Sequence, residues 1–193
     1  MEYAVFLDRD GVITEDPPHY AHRLDQLRII MDSAKAIQLL NVNNFQVIVI
    51  SNQSGVARGY YPERDVKIFN DEIEHQLAKD GAHVDAIFYC PHHPDATIER
   101  YKMDCDCRKP KPGMILDAAK KYSVDLRNSF VVGDKWSDIQ AGRAAGCKTV
   151  LVLTGHGKEE YENTEGSADY IATDLFDAVD KYILKAQCFL SSV

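Results

Sequence analysis

Two aspartates, Asp8 and Asp10, stand one residue apart where an apolar run ends, in FLDRDG (6–11). A carboxylate is already ionised at neutral pH, so one of the pair needs no base to attack phosphorus and form an acyl phosphate. The other can protonate the leaving oxygen and later activate the water that hydrolyses the intermediate. Three further groups suit the same chemistry: Ser51 and Asn52 in SNQSG (51–55), Arg108 and Lys109 in RKPKPG (108–113), and Asp134, Lys135 and Asp138 in GDKWSD (133–138). Clustered carboxylates call for a hard cation, and Mg²⁺ is the usual one between carboxylates and phosphate. A hydroxyl ahead of a glycine turn offers donors to phosphate oxygens. Attack by a carboxylate on a phosphate sets anion against anion, about 4 kcal/mol per unit pair at about 4 Å and an effective dielectric near 20. Mg²⁺ and a lysine would offset that repulsion.

A second constellation lies in CPHHPD and CDC, where Cys90 and His92 precede Cys105 and Cys107. Three thiolates and an imidazole make a closed tetrahedral Cys₃His zinc site, structural rather than catalytic. The other readings are a set of free thiols, or His93 as the ligand in place of His92. Such a clamp would fold the long loop and carry Arg108 and Lys109 with it.

The elements that must position these residues can be read from periodicity. Short apolar runs at 4–8, 45–51, 85–90, 129–134 and 148–154 suit strands buried on both faces. Helical spacing recurs at 34–40, 62–81, 113–122 and 136–146, and DYIA (169–172) and 175–186 suit a last strand and helix. Alternating strands and helices imply right-handed βαβ units and a doubly wound, Rossmann-like α/β fold, with a parallel sheet and helices on both faces. In such sheets ligands sit beyond the carboxyl ends of the strands, where Asp8, Ser51, Cys90 and Asp134 all fall. Two stretches, 12–31 and 91–112, break the alternation, and loops this long in a compact domain are commonly functional. With no repeat or linker, the chain reads as one domain over 1–193, with the zinc loop at about 90–112 and no large cap domain.

The chain has 193 residues, 45% hydrophobic and 27% charged, and a formal net charge of −8, which argues against nucleic-acid binding. No signal-peptide pattern or membrane-spanning run is present, and five cysteines, an odd number, speak against a disulfide framework. A cytoplasmic monomer acting on a small phosphorylated substrate, without nucleic acid or membrane, is the expectation. Cys147 and Cys188 read as small buried or partly buried residues, and His22 and His156 as surface or hydrogen-bonded histidines. Trp136 reads as packing. Arg58 reads equally as an anion contact and as a solvated charge.

DRDG, SNQSG, the lysine of RKPKPG and GDKWSD, in that order, resemble the four motifs of the haloacid dehalogenase-like phosphatases. CPHHP and CDCRKPKPGM further resemble the heptose bisphosphate phosphatases of the histidinol-phosphatase-like subgroup. The resemblance implies Asp8 as nucleophile, Asp10 as general acid and base, and Ser51 and Lys109 as phosphoryl stabilisers. It implies Mg²⁺ held by Asp8, Asp134 and the Asp10 backbone carbonyl, and Zn²⁺ held by Cys90, His92, Cys105 and Cys107. Substrate would lie along Asp16, Pro17, Pro18 and His19, along Ser51, Asn52, Gln53 and Ser54, and against Arg108, Lys109 and Lys135. Asp138 reads as a charge at a helix start, with a supporting place behind the site as the alternative. The implied activity is Mg²⁺-dependent removal of the 7-phosphate of D-glycero-D-manno-heptose 1,7-bisphosphate, with histidinol-phosphate hydrolysis as the alternative. A phospho-accepting regulatory module is the reading from another class.

Overall fold

The computed structural model describes residues 2–18, 20–164 and 168–186. His19 and Cys188 lie outside the described residues. Six strands form one parallel sheet: β1 Ala4–Leu7, β2 Gln46–Asn52, β3 Ala86–Cys90, β4 Phe130–Gly133, β5 Lys148–Val152 and β6 Tyr170–Ala172. Their order is β3-β2-β1-β4-β5-β6. The order reverses at β1, so the crevice beyond its carboxyl end, between β2 and β4, is where the topology places a ligand. Among the described residues, seven α-helices accompany them: α1 Ser33–Val42, α2 Ser54–Ala57, α3 Glu63–Lys79, α4 Gly113–Tyr122, α5 Trp136–Ala145, α6 Gly157–Thr164 and α7 Leu175–Ala178. A π-helical stretch, Val179–Ile183, continues α7.

Alternation along the strands explains the layers. In β1, Val5 and Leu7 join a core with Ile37 and Leu40 of α1 and Phe69 and Ile73 of α3. Ala4 and Phe6 face the other way, onto Met114, Ile115 and Ala118 of α4 and Ala141 of α5. Both faces of the sheet are therefore covered, and the doubly wound expectation holds. All six strand expectations are met. The helix at α6 was not anticipated: GKEEYENT has little apolar periodicity and lies largely on the surface. The two long loops carry short 3₁₀ turns, at Leu24–Gln26 and Glu99–Tyr101, and isolated bridges that pair Thr14 with Ile29 and His93 with Lys102.

Candidate active site

Asp8 directly follows β1 and keeps its ladder bond, its amide donating to Val132 O of β4 at 2.9 Å. Asp134 directly follows β4, and the two carboxylates meet where these neighbouring strands end. Asp8, Asp134 and Asp138 place carboxylate oxygens within 4.8 Å of one another. Lys109, 3% exposed, answers part of that charge. Its ammonium donates to the Ile50 carbonyl at 2.8 Å and pairs with Asp8 Oδ1 at 2.8 Å and Asp138 Oδ1 at 2.6 Å. Burial by itself would lower the Lys109 pKa, but Asp138 and Asp8 outweigh it and hold the ammonium above its ordinary value. Asp138 also accepts from the Lys135 amide at 3.1 Å, so it caps α5 and holds the lysine at once.

Asp134 is fully buried, and its Oδ1 has no hydrogen-bond partner. Its Oδ2 accepts from the His156 amide at 2.8 Å. Burial, and then the neighbouring Asp8 carboxylate, push its pKa up to about 8. Gly11, at φ +87°, and Gly155 press against this carboxylate so closely that a Cβ on either would overlap it. Those are the marks of oxygen ligands short of positive charge: an orphaned buried oxygen, two adjacent carboxylates and a cradle kept open by glycine. The donor set fits a hard divalent cation such as Mg²⁺.

Asp10 turns its carboxylate away from this cluster. It receives Arg9 Nε and Nη2, Thr14 Oγ1 and Gln53 Nε2 at 2.8–3.2 Å. Its side chain does not join the carboxylate cluster. Ser51 and Ser54 line the same cavity as Asp8 and Asp10, about 480 Å³ in volume. Asn52 lines it too and exchanges two hydrogen bonds with the Lys109 backbone, at 3.0 and 3.1 Å, which pins the lysine's loop to the end of β2. Gln53 behaves differently. It is 2% exposed and lies behind the cavity, donating to both Asp10 and Ser51.

Asp16, Arg108 and Lys135 complete the cavity wall, and Pro17 and Pro18 line a neighbouring hollow that shares Asp16 and Lys135. Lys135 Nζ meets Asp16 Oδ2 at 2.9 Å, and His156 Nε2 lies 3.2 Å from the same oxygen. Burial opposes the charge on Lys135, but Asp134, Asp8 and Asp16 hold its pKa above the ordinary value. His156 thus touches two site acids, through its amide and its ring. The sequence reads it as a surface or hydrogen-bonded histidine, and the second holds, though no spacing rule names either acid as its partner.

Cys90, His92, Cys105 and Cys107 come together with all donor atoms within 4.8 Å. The sulfur separations are 2.9, 3.2 and 3.4 Å, and His92 Nδ1 lies 3.5 and 3.8 Å from two of them. Disulfide sulfurs would lie about 2.05 Å apart, so these are free thiols arranged as the corners of a tetrahedron. Burial pushes the Cys90 thiol up to about 11, a cost that a bound cation would reverse by favouring the thiolate. His93 faces away, its Nε2 3.3 Å from Arg58 Nη2 and its Nδ1 accepting from the Asp95 amide at 3.0 Å.

Comparison with known proteins agrees with this geometry. The HAD-hydrolase-like family matches residues 106–178. A D-glycero-β-D-manno-heptose-1,7-bisphosphate 7-phosphatase from Pasteurella multocida is 43% identical over 178 residues, 92% of this chain and 95% of that one. The protein of the same name from Escherichia coli K12 is 40% identical over 90% of each chain. Among solved structures, the D,D-heptose 1,7-bisphosphate phosphatase of B. bronchiseptica, complexed with magnesium and phosphate, superposes with a TM-score of 0.82 at 34% identity. That match covers 100% of both chains.

Proposed function

The chain belongs to the haloacid dehalogenase-like phosphatases, and we propose that it removes the 7-phosphate of D-glycero-D-manno-heptose 1,7-bisphosphate through an aspartyl phosphate on Asp8. The observation that carries the reading is the meeting of Asp8, Asp134 and Lys109 at the switch point of the sheet, in a chain with such relatives. A phospho-accepting module does not fit, because the named relatives of high identity are phosphatases.

In the first half-reaction a carboxylate oxygen of Asp8 attacks phosphorus while Asp10 protonates the departing sugar oxygen. Ser51 Oγ and the Lys109 ammonium take up the charge on the phosphoryl oxygens. In the second half-reaction the Asp10 carboxylate accepts a proton from water as that water attacks the acyl phosphate, and Asp8 is regenerated. Mg²⁺ would be held by the carboxylates of Asp8 and Asp134 and the backbone carbonyl of Asp10, and supplies positive charge that offsets the repulsion between carboxylate and phosphate. The sugar lies along Asp16, Pro17, Pro18 and His19 and against Ser54, Arg108 and Lys135. Asn52 and Gln53 serve it from behind, through the Lys109 loop and through Asp10 and Ser51.

Zn²⁺ on Cys90, His92, Cys105 and Cys107 closes the 91–112 loop and fixes the approach of Arg108 and Lys109. The protein acts as a cytoplasmic monomer on a small phosphorylated sugar, with no nucleic-acid or membrane partner. The acidic net charge speaks against a nucleic-acid partner, and among the described residues no helix is long and apolar enough to cross a membrane. Phosphate release from the heptose bisphosphate and from histidinol phosphate, measured side by side with Mg²⁺, tests the substrate. We expect kcat/KM to favour the bisphosphate by at least about 10²-fold. A preference for histidinol phosphate would overturn the substrate and leave the chemistry standing.

A further inference from the structure

A general acid on a loop must be aimed as well as ionisable, since a small misplacement costs large factors in rate. The Asp10 carboxylate is held from two sides. Arg9 grips it as a fork, Nε on Oδ1 at 2.9 Å and Nη2 on Oδ2 at 2.8 Å. Arg9 is itself 1% exposed, and is fixed by Asn70 Oδ1 at 3.0 Å, by the Ala21 carbonyl at 3.2 Å and by the face of Phe69 at 4.7 Å. From the other side Gln53 Nε2 reaches Oδ2 at 3.0 Å. The far end of that amide accepts from Tyr61 Oη at 3.0 Å, which keeps the NH₂ turned toward Asp10. The Tyr61 ring in turn stacks on His22, with centroids 4.5 Å apart and planes 7° from parallel.

Both supports therefore end on one segment. Arg9 ends on the carbonyl of Ala21, and Gln53 ends, through Tyr61, on the ring of His22. The same segment carries Asp16 and Tyr20 into the cavity wall. Tyr20 sits there at φ +53°, a left-handed backbone that bulky residues rarely adopt.

We propose that Arg9 and Gln53 are positioning residues for Asp10, and that the stack of Tyr61 on His22 keeps the Gln53 amide turned toward it, so that loosening the stack lowers kcat rather than affinity. This rests on the reading of Asp10 as the acid. Arg9 is neither a surface charge nor a substrate contact in this arrangement. Asn70, Tyr61 and His22, more than ten residues from Asp10 in sequence, become part of the device.

The test compares two phosphate esters in wild type and His22→Ala. One is the heptose bisphosphate. The other is ethyl phosphate, whose leaving oxygen needs the same proton but which is too short to touch the segment. In His22→Ala kcat should fall about tenfold on both esters with KM within threefold, and His22→Phe, which keeps the ring stack, should restore both. A fall on the bisphosphate alone, which would make His22 a sugar contact, would overturn the proposal, as would a change in KM alone or an unchanged kcat. Should the alanine variant not fold, His22→Leu, which keeps bulk without an aromatic face, carries the same comparison. A wild type inert toward the bisphosphate would refute the substrate reading instead, and the same fall would then be read on ethyl phosphate and on the sugar-sized ester that it does hydrolyse.

Discussion

Replacing Lys109 by methionine removes one positive charge and little volume, so its consequences can be worked from distances. At 2.8 Å from Asp8 and 2.6 Å from Asp138, each pair is worth about 6 kcal/mol gross at an effective dielectric near 20. Much of that repays desolvation, and the net cost of breaking such a buried pair is about 3–5 kcal/mol. For a chain of this length the melting temperature should fall by about 6–20 °C. Catalysis should lose more. A unit charge about 4 Å from the phosphoryl oxygens contributes about 4 kcal/mol to the transition state, or about 10³-fold in kcat. The double variant Lys109→Met/Asp138→Asn separates the two effects, because it removes both members of one pair. It should recover a good part of the melting temperature and none of the rate. Thermal melts and saturating phosphate-release assays in Mg²⁺ measure both. A single variant within tenfold of wild-type kcat, or a double variant that regains rate together with stability, would show Lys109 to be structural only.

Other outcomes follow from the same contacts. Asp8→Asn should release no phosphate yet keep the circular dichroism spectrum of the wild type; retained turnover would remove Asp8 from the nucleophile's place. Metal analysis of protein prepared without chelators should find one zinc per chain, and stripping it should lower the melting temperature and activity together, since the loop carries Arg108 and Lys109. A zinc-free preparation with full activity would contradict that. Asp134 is pushed up to about 8 when no cation is bound, so between its unfolded pKa near 4 and pH 8 the folded chain binds more protons than the unfolded one. Stability of zinc-replete, Mg²⁺-free protein should therefore fall as pH rises through that window, and added Mg²⁺ should flatten the slope. A slope unchanged by Mg²⁺ would separate Asp134 from the cation.

The strands were legible because each is a short apolar run that a doubly wound sheet buries on both faces, and the strand-end rule then collected Asp8, Ser51 and Asp134. Cys90, His92, Cys105 and Cys107 were legible because their residue types are costly to expose. What stayed hidden depends on pairs far apart in sequence. Nothing in DRDG shows that Arg9 is buried and held by Asn70, 61 positions away, and by the Ala21 carbonyl. Gln53 reads as a substrate contact because it sits in the SNQSG turn, yet the turn buries its side chain against Tyr61. Asp138 caps its helix as its position suggests, but its second oxygen is committed to Lys109, a contact that no local pattern encodes. Helix α6 lacked an apolar stripe because it lies largely on the surface, against α5 and β5.

The most direct measurement is a rapid quench of Asp10→Asn during turnover of the heptose bisphosphate, followed by mass spectrometry of its peptides. Loss of the base that activates water should let the intermediate accumulate, with the mass of one phosphoryl group on the peptide that contains Asp8. Phosphate release from this variant without any phosphorylated Asp8 peptide, in quenches spanning the first turnover, would contradict the account.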